Sequence, residues 1–259
     1  MDDIILEVKG MSKKYSSFTL SDVTFSLEKG YILGLTGRNG AGKTTLMKQL
    51  VHPETATTGS ITIAGIDARR ESLKAKQEIG TLMEELPFLE DWTLEQNGRL
   101  LGEFYERFSQ DKLKTYLHQF ELSPGTTYRN LSRGMRMKFQ LAFALAHEPK
   151  LLLMDEATGG LDAVFRREFY YLLQEAVEKE LVSVIISTHV TEDLDKVADY
   201  VAFMEKGQMK FYESKEELYE KYKTYMRALH GEAAGYGTVR LEDVIYCYDK
   251  LAGKERRGK

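Results

Sequence analysis

The segment that most limits what this chain can fold into is Gly37-Arg38-Asn39-Gly40-Ala41-Gly42-Lys43-Thr44, set between the dense apolar run Tyr31 to Leu35 and a helix-forming stretch, Lys43 to Val51. Its spacing is that of the Walker A pattern, and its flanks are the strand and helix that such a loop requires. Glycines let successive backbone N–H groups turn inward around phosphate, and the start of the helix adds the positive end of its dipole. Asn39, Gly40, Ala41, Gly42 and Thr45 are expected to line the phosphates, Lys43 to contact the β- and γ-phosphates, and Thr44 to ligate Mg²⁺. Arg38 is tolerable because its position presents mainly backbone. A phosphate loop alone does not separate kinases, GTPases and transport ATPases.

Two further apolar runs end in chemistry. Leu151-Leu152-Leu153-Met154 is followed by Asp155-Glu156, and Val182 to Ser187 by Thr188-His189. In a parallel sheet such strands deliver their last residues to the crevice at the carboxyl edge, beside the phosphate loop. Asp155 is then placed to hold Mg²⁺ through water, and Glu156 to polarise an attacking water as general base. His189 falls at the same edge, within reach of a γ-phosphate. His52, His118, His147 and His230 lack comparable context.

Around these runs the pattern predicts an α/β, doubly wound core. Ile4 to Val8 and Val23 to Leu27 read as strands of an antiparallel N-terminal sheet, with Ile61 to Ile63 and Ile79 to Met83 as further strands. From Thr93 to Phe120 the apolar spacing turns helical, and Pro124-Gly125 closes the stretch, which predicts a small helical subdomain. The helix Ala163 to Val177 separates the last two buried strands. Leu241 to Tyr248 is a short segment before a basic tail, Lys254 to Lys259, expected to be a solvated end.

Composition narrows the partners. Net charge is −4 and the pI about 5.9, so no broad basic field is present to hold a nucleic-acid backbone. Cys247 is the only cysteine, which excludes an internal disulfide and points to a reducing compartment, the cytosol. Met1-Asp2-Asp3 carries acid where an export signal carries base, and the most apolar windows fall short of the ~18 residues that cross a bilayer.

Leu131-Ser132-Arg133-Gly134-Met135, ahead of a helix and of the acidic strand, resembles the signature of the ABC ATPases, Leu-Ser-Gly-Gly-Gln. It keeps the Ser132 and Gly134 positions and departs at Arg133 and Met135, a variant that resembles those of bacterial export ATPases. Gly159-Gly160-Leu161-Asp162 resembles the family's D-loop, His189 its switch histidine, and Tyr15 the aromatic that stacks on adenine. The resemblance covers roughly residues 4–222. It implies a P-loop NTPase (RecA-like) core with an N-terminal antiparallel β-subdomain and an inserted helical subdomain at about residues 86–147. The ATPase domain would span 1–225, with a C-terminal extension from 226 to 259. It also implies ATP and Mg²⁺ as cofactors, with Glu84 standing where the family has its Q-loop glutamine, near the metal.

In that family two copies sandwich ATP head to tail, so Ser132, the Gly134 amide and Asp162 would serve a second subunit's nucleotide. A homodimer with two competent sites is permitted. The resemblance further implies a separate transmembrane permease as partner, with Pro87-Phe88-Leu89 and Trp92 as candidate docking residues. The chain would then sit peripherally on the inner face of the cell membrane, reaching it only through the permease. Rival expectations are a soluble ABC ATPase acting on ribosomes or DNA, which usually carries two such domains or a long coiled coil, and a nucleotide kinase or GTPase. The latter leaves Leu131 to Met135 without a role and lacks an Asn-Lys-x-Asp segment. A non-catalytic binding module is disfavoured by Glu156.

Overall fold

A computed structural model describes residues 3–83, 87–230 and 239–257. The chain opens with β1 (Ile4–Lys14), β2 (Thr19–Glu28) and β3 (Ile32–Gly37), then α1 (Lys43–Val51), β4 (Thr58–Ile63), β5 (Ile66–Asp67), α2 (Ser72–Gln77) and β6 (Ile79–Leu82). Three helices follow, α3 (Leu94–Gly102), α4 (Gln110–Gln119) and α5 (Arg133–Leu145). Beyond them come β7 (Leu151–Asp155), α6 (Ala163–Glu180), β8 (Ser183–Ser187), α7 (Thr191–Val197), β9 (Tyr200–Glu205), β10 (Gln208–Ser214), α8 (Lys215–His230) and α9 (Leu241–Arg257).

Strands β2-β1-β4-β5 form an antiparallel four-stranded sheet, and β10-β9-β3-β8-β7-β6 a six-stranded one in which only the edge pair β9 and β10 is antiparallel. The fold is the P-loop NTPase arrangement that the phosphate loop demanded. Its central strands β3, β7 and β8 are buried almost throughout and mostly apolar because both faces are covered. Leu151 and Leu153 of β7 point into a core shared with the antiparallel sheet and α1, whereas Leu152 and Met154 point into a second core with α5 and α6. Ile185 against Val184 and Ile186 in β8 repeats that division, the period of two that a pleated strand imposes. Each such fully buried leucine contributes roughly 1.5–3 kcal/mol.

The helical segment is built on a cluster in which Phe88, Phe139 and Phe143 meet, with ring centroids 4.8 and 5.4 Å from that of Phe88. Thr93 starts α3 with a capping box to Gln96. At the far end, α9 is longer than the Leu241–Tyr248 stretch suggested, and it buries Leu241, Val244 and Cys247 at helical spacing in the second core. Asp195, just ahead of Val197 in α7, accepts from the Leu241 N–H at 3.0 Å and from the Tyr219 hydroxyl, which anchors α8 and α9 to α7. α8 runs through residue 225, where the expected ATPase domain ends.

His147, just past α5, is 1% exposed, and neither ring nitrogen has a hydrogen-bond partner among the described residues. The Tyr105 ring packs on it at 4.0 Å. Burial, aided by the charge of Arg107 and opposed by Glu78 and Glu148, pushes the imidazole down to about 4. Between that value and the ~6.5 of an unfolded chain, the unfolded state binds a proton that the fold does not. Stability should therefore rise with pH through this window and fall by on the order of 3 kcal/mol as pH drops from about 6.5 to about 4. Urea denaturation as a function of pH checks this: His147→Leu should flatten the slope, and an unchanged slope would refute the assignment.

Candidate functional site

The parallel register brings three strand ends into line. Leu35 of β3 pairs with Ser187 of β8, and Ser187 with Asp155 of β7. Beyond that row the chains leave the sheet at Gly37, Glu156 and Thr188, with Glu156 N–H donating to the Ser187 carbonyl at 2.9 Å and Thr188 N–H to that of Leu35 at 3.1 Å. Glycine is required at Gly37, where φ is +150° and a Cβ would stand 2.3 Å from the Met204 carbonyl oxygen. Gly42, at φ +110°, caps α1, and Phe18 sits 3.0 Å from where its Cβ would lie.

The loop lines a cleft of about 960 Å³. Asn39, Gly40, Ala41, Gly42, Lys43, Thr44 and Thr45 form its floor, Tyr15 stands at one side, and Glu156 and His189 stand at another. Lys43 is 6% exposed, donates to the Gly37 carbonyl at 2.9 Å and stands 3.4 Å from Glu156 Oε1. The other Glu156 oxygen, Oε2, meets His189 Nδ1 at 2.7 Å. A phosphate entering the floor would compete with Glu156 for the Lys43 ammonium, and the carboxylate so freed would still touch an imidazole. Glu156 adopts φ +48°, which is uncommon for a non-glycine residue and turns the chain sharply out of β7.

Other expected site residues lie elsewhere. Ser132 caps α5, its Oγ accepting from Met135 N–H at 3.2 Å, and Asp162 caps α6 by accepting from Val164 and Phe165 N–H at 3.1 and 3.0 Å. Neither lines the cleft of its own chain, and Gly134 is buried against Phe165. Asp155 faces an adjoining cavity of about 390 Å³, which shares Arg133 and Glu156 with the cleft and is lined also by Gln140, and its buried Oδ1 has no partner among the described residues. Glu84 lies outside the described residues.

The structure adds to the cleft Ser16, Ser17 and Phe18, from the turn between β1 and β2, which the sequence did not single out, and brings to its wall Arg133 of the signature-like segment and Gly159 and Gly160 of the D-loop-like one. Phe18 is tied to Tyr15 by a tight turn, Tyr15 N–H to Phe18 carbonyl at 2.8 Å. An aromatic in a hairpin turn carries no sequence signal that distinguishes a ligand wall from ordinary packing. Tyr15 itself is 42% exposed, with Lys13 Nζ 5.5 Å from its ring centre. Among the docking candidates Phe88 is spent in the aromatic core at 8% exposure, while Leu89 and Trp92 remain 39% and 40% exposed. No helix among the described residues is long and apolar enough to cross a membrane.

Comparison with known proteins agrees with this geometry. A family profile described as ABC transporter matches residues 20–159. The ABC transporter ATP-binding protein YtrB of Bacillus subtilis (strain 168) is 31% identical over 219 residues, covering 84% of this chain and 75% of that protein. Among solved structures, the ATP-binding subunit of an ABC transporter superposes with a TM-score of 0.79 at 24% identity, covering 96% of this chain and 99% of the other. A dimeric ATP-binding cassette bound to ADP and Pi superposes at 0.71 and 21% identity, covering 81% and 98%. With a lysine-carboxylate-imidazole cluster at the mouth of a phosphate loop and relatives of this kind, the chain belongs to the ABC transporter family, as an ATP-binding and ATP-hydrolysing subunit.

Proposed function

We propose that this subunit works as a head-to-tail homodimer in which each nucleotide is held by the phosphate loop of one copy and capped by the signature of the other. The observation that carries this reading is the division of the motif set. Lys43, Glu156 and His189 meet at one cleft, whereas Ser132 and Asp162 of the same chain lie outside it. Ser132 and Gly134 begin α5, where the N-terminal dipole and free amides suit an anion presented from outside the chain.

Within a site, Tyr15 stacks on the adenine, the Asn39-to-Thr45 backbone wraps the phosphates, and Lys43 neutralises the terminal ones. Glu156 takes a proton from the attacking water, and His189 holds the carboxylate in place. The donor set fits Mg²⁺: the buried Asp155 oxygen has no partner among the described residues, and Thr44 supplies a hydroxyl beside Lys43, hard oxygen ligands of the kind this ion takes. Thr44 and Asp155 would hold it, with Glu84 as a third candidate. When bound, the ion neutralises charge on the β- and γ-phosphates.

The domain reading follows the same logic: an ATPase unit over residues 1–225, the helical insertion at about 86–147, and the extension from 226. The insertion passes closure of the dimer to a separate permease on the inner face of the cell membrane, with the exposed Leu89 and Trp92, next to Pro87, as the contact. Export is the direction favoured by the Arg133 and Met135 signature variant.

Glu156→Gln should lower ATP turnover by at least ~100-fold while leaving a long-lived ATP-bound dimer, seen by light scattering; rapid turnover by that variant would refute the base assignment. Ser132→Ala should weaken ATP-driven dimerisation without weakening ATP binding by dilute, monomeric protein. Equal loss in both states would argue against a site shared between copies. Photocrosslinking from position 92 in membranes should capture a hydrophobic polypeptide, and inside-out vesicles should show ATP-driven uptake if the direction is export.

A further inference from the structure

The start of α5 is tied to the loop after β7 and the first turns of α6 by contacts inside one chain. The ring of Phe165 fills the space where a Cβ on Gly134 would go, its nearest atom 2.6 Å away. One turn along α5, Lys138 pairs with Glu168 at 3.0 Å and lies 5.3 Å from the centre of that ring. Arg133 extends over the other side: its Nη1 is 2.8 Å from the Cβ position of Gly160, and its Nη2 is 3.9 Å from that of Gly159. Any side chain at Gly160 would displace the guanidinium.

Among the described residues Arg133 differs from its neighbours in having no counter-charge. Arg136 meets Glu90 at 3.0 Å, and Arg166 meets Asp193 at 3.5 Å. Arg133, an exposed residue, has neither an ion pair nor a hydrogen bond among the described residues. It lines the same cleft as the phosphate loop, and it does so at the hydrolytic end. Gly159 N–H donates to the Glu156 carbonyl at 3.1 Å, so the seat of the guanidinium lies within one turn of the carboxylate that faces Lys43 and His189. A planar guanidinium whose donors are unused among the described residues, on the wall of a phosphate site, is matched to phosphate oxygens, which it engages two at a time, as an ammonium does not.

We propose that Arg133 is a further phosphate-contacting residue of the ATPase site, its guanidinium resting on Gly159 and Gly160 and engaging the terminal phosphate of ATP. This rests on the cleft being the nucleotide site. The phosphate is either that of the chain's own nucleotide or that of a second copy, since Arg133 stands beside both the cleft and the signature. The contact distinguishes ATP from ADP, because the terminal phosphate is the group that lies at the Glu156 end. It also places a positive charge where a family signature has glycine, so nucleotide affinity in this chain depends more steeply on salt.

The test compares the unaltered full chain with Arg133→Gln and Arg133→Lys, using ATP and ADP as ligands. Binding is measured in dilute protein, and ATP-driven dimerisation is measured in a Glu156→Gln background. Arg133→Gln should weaken the ATP-dependent step roughly tenfold, as expected for loss of a charge-assisted contact, and weaken ADP binding less than about twofold. Arg133→Lys should restore part of the loss, and the salt dependence should become shallower in Arg133→Gln alone. Loss already present in dilute protein assigns the phosphate to the chain's own cleft; loss confined to dimerisation assigns it to the second copy. Equal weakening of ATP and ADP, or no change in either, would overturn the proposal. Lys43→Ala separates the two levels of inference: if that variant loses ATP while Arg133→Gln does not, only the role of Arg133 falls. If Lys43→Ala keeps full ATP affinity, the cleft is not the nucleotide site and both readings fall.

Discussion

Everything in the site depends on the hydrogen-bond register of three parallel strands. Leu35, Ser187 and Asp155 stand in one row, and the phosphate loop, the histidine segment and the acidic turn all leave the sheet just beyond it. A slip of one residue in β7 would send Leu151 and Leu153 to the wrong core and turn Asp155 to the opposite face. Register is therefore held by burial on both sides, and the chemistry inherits the accuracy of the packing. This is why leucines deep in the sheet matter to an active site they never touch.

The second constraint is electrostatic. Lys43 is an almost fully buried cation, and such a group requires compensation. It finds this in the Gly37 carbonyl and in Glu156, which also meets His189. The residue proposed to bind phosphate and the residue proposed to drive hydrolysis thus share one interaction. On that proposal phosphate and carboxylate would compete for the same ammonium, and occupancy of the floor would be linked to release of the base by geometry alone.

The α5–α6 junction shows a comparable economy. Ser132 and Asp162 cap their helices at the entrances to α5 and α6, while Gly134, Phe165, Lys138 and Glu168 lock those helices to each other. The segment that would face another subunit is therefore mechanically continuous with the acidic turn of its own. Arg133 lies on that continuity and on the cleft wall at once.

By itself the sequence determined the local chemistry. Spacing and residue type marked the phosphate loop from Gly37 to Thr44, the apolar run ending in Asp155 and Glu156, the strand leading to His189, and a helical stretch after residue 93. These are legible because glycine placement, apolar runs and periodicity act over a few neighbouring residues. Tertiary structure alone decided which of these groups meet. That Glu156 touches both Lys43 and His189, that Ser132 stays out of its own cleft while Arg133 enters it, and that Phe88 is core rather than surface follow from contacts between residues far apart in the chain. The burial of His147 and the docking of α9 through Asp195 belong to the same class. No local pattern encodes such contacts, because their energy comes from packing and desolvation that exist only once the sheets and helices have assembled.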